Sequence, residues 1–208
     1  MNRDSKSEAP VKKLRSRLKE ATADAILSAA ATVFAQEGLH AAKMESIAEQ
    51  AGVSVGTLYN HFTDRAALLE ALRAKRREAL LARLDAALAQ VQGQPARVQL
   101  RAFVMAVFAH VSEHDVYVRL LMQLPEDANR TQNKSRALAE LNRRLEPILD
   151  RGIKAGELRA EGRAFYPALL VGMVRGALDR LREGDRANPP AAAWAEEVLR
   201  VFLKGIEV

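Results

Sequence analysis

The chain has 208 residues, 49% of them hydrophobic and 28% charged, with a formal net charge of +6, a pI near 9.8 and no cysteine. That length can bury a real core, the absence of cysteine excludes disulfides and thiol catalysis, and no apolar run reaches the ~18 residues of a membrane span. The N-terminus has no apolar signal-peptide core, so a cytoplasmic protein with no membrane partner is expected.

Alanine, leucine, arginine and glutamate dominate, and no period-two run of β-branched residues occurs, so the chain reads as all α, with about nine helices. The positive excess is shared, 13 basic against 10 acidic residues over 1–80 and 19 against 16 beyond. Locally it is concentrated in residues 1–20, where Arg3, Lys6, Lys12, Lys13, Arg15, Arg17 and Lys19 face only Asp4, Glu8 and Glu20. This basic arm is either a solvated, partly disordered tail or a segment that follows phosphates or a minor groove.

In chain order, Thr22 can cap a helix carrying Ile26, Ala29, Ala30, Val33 and Phe34 and stopping at Gly38; Leu14 and Leu18 continue its stripe backwards, which allows a start earlier than Thr22. A short helix over about Lys43 to Ala51, a turn at Gly52 and a second helix over about Ser54 to Phe62 follow. Ser54 is the N-cap, able to accept from Gly56 or Thr57. Asp64 caps a long helix with leucines to about Gln90; Gly93 and Pro95 break the chain. Further helices are predicted over Ala96 to about Glu113, Asp115 to Leu124, from after a polar loop at 125–133 to Gly156 with a kink at Pro147, Arg163 to Arg182, and Ala191 to Lys204.

The run IAEQAGVSVGTLYNHF, Ile47 to Phe62, places helix, glycine turn and helix in succession. With Ile26, Ala29, Ala30, Phe34 and Gly38 before it and Asp64, Arg65, Leu68 and Leu69 after it, the first 70 or so residues resemble the N-terminal domain of the TetR-type (tetracycline-repressor-like) transcriptional regulators. The resemblance implies a three-helix helix-turn-helix domain over 21–66 (motif about 43–62) and a larger helical effector-binding and dimerisation domain over 67–208. It also implies a recognition helix in the major groove. Thr57, Tyr59 and His61 match the family's phosphate-contacting positions, and Arg65 stands where a lysine is usual. Ser54, Val55, Gly56 and Asn60 are candidates for base edges. Ala42 and Lys43 replace the usual threonines, so Lys43 would supply a phosphate contact as a point charge. Val55 sits where a polar residue is common, which thins direct base readout.

One such helix spans few base pairs, so a homodimer on a near-palindromic double-stranded operator is expected. The last two helices are the best candidates for the dimer surface, through Ala168, Leu169, Gly172, Gly176, Leu199 and Phe202; the alternative is that these are core positions with no partner. The resemblance implies a cavity for a small, largely apolar effector, for which Phe103, Val107, His110, Tyr117, Leu121, Met122, Tyr166, Met173 and Arg175 are the lining candidates. The fourth helix would link head and cavity, giving a repressor released by its effector. No cofactor or metal is expected. A constitutive DNA binder is one rival. A second is a metal-dependent hydrolase, since His110, Glu113 and His114 fit the H-x-x-E-H pattern of some zinc peptidases; a third ligand is missing from the sequence.

Overall fold

A computed structural model describes residues 8–39, 41–113, 128–183 and 190–208. The described chain is helical: α1 Glu8–Glu37, α2 Met44–Gln50, α3 Val55–His61, α4 Arg65–Gln90, α5 Ala96–Glu113, α6 Ala128–Lys154, a 3₁₀ turn Arg163–Phe165, α7 Tyr166–Glu183 and α8 Ala191–Ile206. The all-α expectation holds, and none of these helices is long and apolar enough to cross a membrane. The predicted helix over Asp115 to Leu124 lies outside the described residues. Two compact units divide at residue 75, the first Met1–Lys75 and the second Arg76–Val208.

In the first unit, Ile26, Ala30 and Phe34 of α1, Ile47 and Ala48 of α2, Leu58 of α3 and Leu68 and Leu72 of α4 are all essentially buried. Each large apolar side chain so removed from water stabilises by about 1.5–3 kcal/mol. Two expectations for α1 fail. Thr22 is not a cap: its hydroxyl donates to the Leu18 carbonyl at 2.8 Å, a mid-helix bond, and the helix starts 14 residues earlier at Glu8. Nothing between Val11 and Glu37 breaks a helix, and Pro10 falls in the first turn, where proline is tolerated. Leu14 and Leu18 do not continue the buried stripe, being 58% and 59% exposed. Steps of four residues drift by roughly 40° each, so a row begun at Leu14 has turned about 120° by Ile26.

In the second unit, Leu100, Phe103, Val104 and Phe108 of α5 meet Leu145 and Leu149 of α6, Leu170 and Val174 of α7, and Val198, Leu199 and Phe202 of α8 in one core. Gly152 on α6 lies against α5: a methyl group there would sit 2.6 Å from Ala96 Cβ and 2.7 Å from Leu158 Cδ1. α6 begins at Ala128, inside the stretch expected to be loop up to Asn133, because Ala-Asn-Arg-Thr-Gln-Asn contains no breaker and the helix propagates through it. Pro147 lies within that helix without ending it.

Candidate nucleic-acid interface

The helix-turn-helix is built by local chemistry. α2 closes with a Schellman arrangement in which the Gly52 amide donates to Glu49 O and the Val53 amide to Ala48 O, both at 3.0 Å. Gly52 has φ +67°, a left-handed turn that a side chain would strain. Ser54 then caps α3: its Oγ accepts from the Thr57 amide at 3.0 Å and pairs with the Thr57 hydroxyl at 2.8 Å. Asp64 caps α4 by accepting from the Ala67 amide at 2.7 Å.

Leu58 and Phe62 bury one side of α3, and Gly56, Tyr59 and Asn60 stand exposed on the other, with Tyr59 at 45%. Val55, Thr57 and His61 are half-buried, and the His61 ring tilts against Phe62 with centroids 6.2 Å apart. Val53, in the turn after Gly52, is half-buried. Lys43 is exposed at the head of α2 and makes no side-chain cap, as its replacement of threonine implied. Arg65 differs from the rest of the predicted contact set. Its guanidinium is half-buried and donates to the Leu39 carbonyl, a pairing across 26 residues that no helical spacing signals.

The effector-lining candidates scatter in the second unit. Phe103, Val107 and His110 are buried on α5, and Met173 is half-buried against the same core. Tyr166 is buried, edge-on to Phe202, and its hydroxyl is held by the carbonyls of Arg159 and Glu161, so it acts as a brace for the α6–α7 connection rather than a polar handle. Arg175 is exposed and within 3.8 Å of Asp179 one turn on, on the solvent side of α7, so it lines no interior. Tyr117, Leu121, Met122 and His114 lie outside the described residues. Two recesses among the described residues, of about 370 and 290 Å³, are lined by other side chains: Pro95, Arg97 and Glu207 in the first, Asp85, Gln99 and Arg144 in the second. Glu113, which the hydrolase reading needs for catalysis, is paired with both guanidinium nitrogens of Arg83, one at 2.7 Å. No three His, Asp or Glu side chains among the described residues gather around a common point.

Longer-range partners organise this unit without any sequence signal. Glu157 accepts from the free Ala96 amide at 2.6 Å, capping α5 from 61 residues away. Arg144 grips Asp85 through two bonds of 2.7 and 2.8 Å, which hold the Asp85 carboxyl below its ordinary range and raise the Arg144 guanidinium. Gln99, buried on α5, takes a bond from Arg151 of α6 at 2.9 Å.

Residues 26–72, which span this capped pair of helices, match the family model of bacterial regulatory proteins of the tetR family. The chain is 25% identical over 185 residues to the transcriptional regulator UidR of Escherichia coli K12, covering 87% of this chain and 90% of that one. It is 39% identical over 90 residues to the transcriptional activator FasR of Mycolicibacterium smegmatis, 43% of this chain and 40% of the relative. The fold matches the transcriptional regulator FadR from Bacillus subtilis, solved in complex with stearoyl-CoA, with a TM-score of 0.75 at 21% identity over 88% of this chain and 98% of that one. Residues 26–72 are a tetR-family regulatory domain.

In the second unit the dimer-surface candidates divide. Ala168, Leu169, Gly172 and Gly176 are exposed along α7, where a methyl group on either glycine would meet nothing within 4 Å, and Phe165 and Leu169 are 67% and 53% exposed. Leu199 and Phe202 instead sit in the chain's own core, which leaves them no surface for a partner. The apolar residues of α8 face more than one way: these two point inward, and Val201, 47% exposed, is a large apolar residue of that helix turned outward.

Proposed function

We propose that this protein is a sequence-specific DNA-binding transcriptional regulator, a homodimer that occupies a near-palindromic operator and releases it when a small, largely apolar effector binds. The first unit is the reading head and the second the dimerisation and effector unit. The observation that carries the reading is α3 itself: a short helix capped at Ser54, anchored by Leu58 and Phe62, with Gly56, Tyr59 and Asn60 bare on its outer side. Small and neutral hydrogen-bonding groups on an anchored helix suit a major groove, and Lys43 beside it suits a phosphate.

Support for dimerisation comes from the bare apolar strip of α7, because a partner that covered Phe165 and Leu169 would remove them from water. The acyl ligand of the Bacillus subtilis FadR relative in fold supports an amphiphile with an apolar body as the effector class. Coupling needs only that such a ligand prefer the DNA-incompetent shape, by about 1–3 kcal/mol in a typical switch. Selection of bound duplexes from a random pool tests the proposal. Enriched sequences should contain two inverted half-sites with centres roughly 10 to 10.5 base pairs apart, or a multiple of that. Enrichment of a lone half-site, or of nothing, would sink it.

A constitutive binder is the second reading, favoured by the tight burial of Phe103 and Val107, 1% and 5% exposed. Loss of operator binding by a folded, dimeric Val107→Trp variant supports the switch; unchanged binding supports the constitutive reading.

A further inference from the structure

α2, α3 and α4 are entered through three different locks. Ser54 caps α3 and Asp64 caps α4 with their own side chains, but the N-cap of α2, Lys43, makes no such bond. Ahead of Lys43, Gly38 turns at φ +82°, its amide donates to Phe34 O at 3.0 Å, its carbonyl accepts from Ala42 at 3.2 Å, and Leu39 is buried. The missing lock comes from the start of α4. Arg65 Nη1 donates to the Leu39 carbonyl at 2.7 Å in a half-buried setting. A charged donor on a backbone carbonyl, partly shielded from water, makes one of the stronger hydrogen bonds a protein forms. Arginine suits the task because its long planar fork can hold a carbonyl, whereas a lysine ammonium is a compact, heavily hydrated charge.

We infer that Arg65 is a positioning residue: it clasps Leu39, ahead of α2, to the first turn of α4, and acts on DNA affinity by holding the packing of the head rather than by touching a phosphate. The inference rests on the reading of the first unit as a DNA-binding head.

The test is equilibrium binding of full-length wild type, Lys43→Ala, Arg65→Met and Arg65→Gln to a duplex recovered from the random pool, across a range of salt, with thermal unfolding of each. Every phosphate neutralised contributes about 0.9 to the slope of log K against log salt. Lys43→Ala should lose about that much slope. Arg65→Met should bind about tenfold more weakly at every salt, the factor that ~1.4 kcal/mol gives, with an unchanged slope and a lower unfolding midpoint. Arg65→Gln, which keeps a donor without the charge, should recover part of both losses. A slope reduced by about 0.9 in either Arg65 variant overturns the clasp, as does an Arg65→Met protein with wild-type affinity and midpoint. If Arg65→Met does not fold, Arg65→Gln carries the slope measurement. Wild-type protein that ignores every duplex sinks the DNA-binding reading itself, whereas wild-type binding together with a slope loss at Arg65 removes this inference alone.

Discussion

Lys43 and Asn60 are both exposed in the first unit, but they differ in what a nucleic acid would ask of them. A lysine beside a phosphate displaces a counterion and reads no base, while an asparagine amide can pair with both the N6 and N7 of adenine. Lys43→Ala should therefore weaken binding to all sequences alike and flatten the salt dependence. Asn60→Ala should keep the salt slope and lose about 1–3 kcal/mol of discrimination at one base pair of each half-site. Competition binding with single-substitution duplexes, repeated at several salt concentrations, separates the two; equal losses across all duplexes for Asn60→Ala would reject its assignment. The individual residues of the head were legible because their chemistry is local: Ser54 meets Thr57 three residues on, Asp64 meets Ala67, and Gly52 makes its own turn. Arg65 was not legible, since its partner is the carbonyl of Leu39 and a backbone oxygen carries no residue type to read.

Among the elements, α6 is held by partners far along the chain. Gly152 lets it approach α5, and the filled space there decides the sign of a substitution. Alanine in an open helix would gain about 1 kcal/mol over glycine, yet here its methyl group meets Ala96 and Leu158. Gly152→Ala should destabilise by about 1–3 kcal/mol, read as a lower denaturation midpoint; a stabilised variant would show that the neighbours yield freely. Asp85 and Arg144 join α4 to α6. Because the folded carboxyl is held below its ordinary range, the pair stabilises fully above the unfolded value of about 3.9 and is lost as pH falls through the lower folded value. Asp85 is largely exposed, so the effect should be about 0.5 kcal/mol or less. Unfolding midpoints of wild type and Asp85→Asn should separate at neutral pH and converge only once the pH has fallen below the depressed folded value; a constant gap would mean the ion pair contributes nothing of its own. Helix existence was readable from periodicity and breakers, as the ends of α5 at Ala96 and Glu113 illustrate. The errors arose where periodicity says nothing. The start of α6 runs on through polar residues, and the direction of a face, as at Leu14 and Phe202, is set by neighbours that single-helix patterns do not contain.

For the whole molecule, the proposed function requires two copies. The exposed strip of α7 is where a charge should be costly to assembly and harmless to a lone chain. Leu169→Glu should sediment as a folded monomer and bind operator at least about a hundredfold more weakly, because each head alone spans few base pairs. A variant that remains dimeric would move the interface elsewhere. The same asymmetry explains why the lining candidates were the least legible part of the sequence: an aromatic or methionine side chain buried against helices looks the same whether it fills a core or borders a cavity, and Tyr166 proved to be a brace.

The last residues of α8 do not end freely. Leu158 and Glu207 form an antiparallel bridge, the Arg159 amide donates to Ile206 O at 2.8 Å, and the neighbouring Glu157 holds the first amide of α5. The tail is thus a stitch through the hem of the second unit: unpicking it loosens the Glu157 segment, which in turn lets the first turn of α5 unravel. The end of α8 is thereby tied to the opening of a helix more than a hundred residues upstream, so the slow solvent exchange of the Arg159 and Val208 amides should keep pace with that of the early α5 backbone.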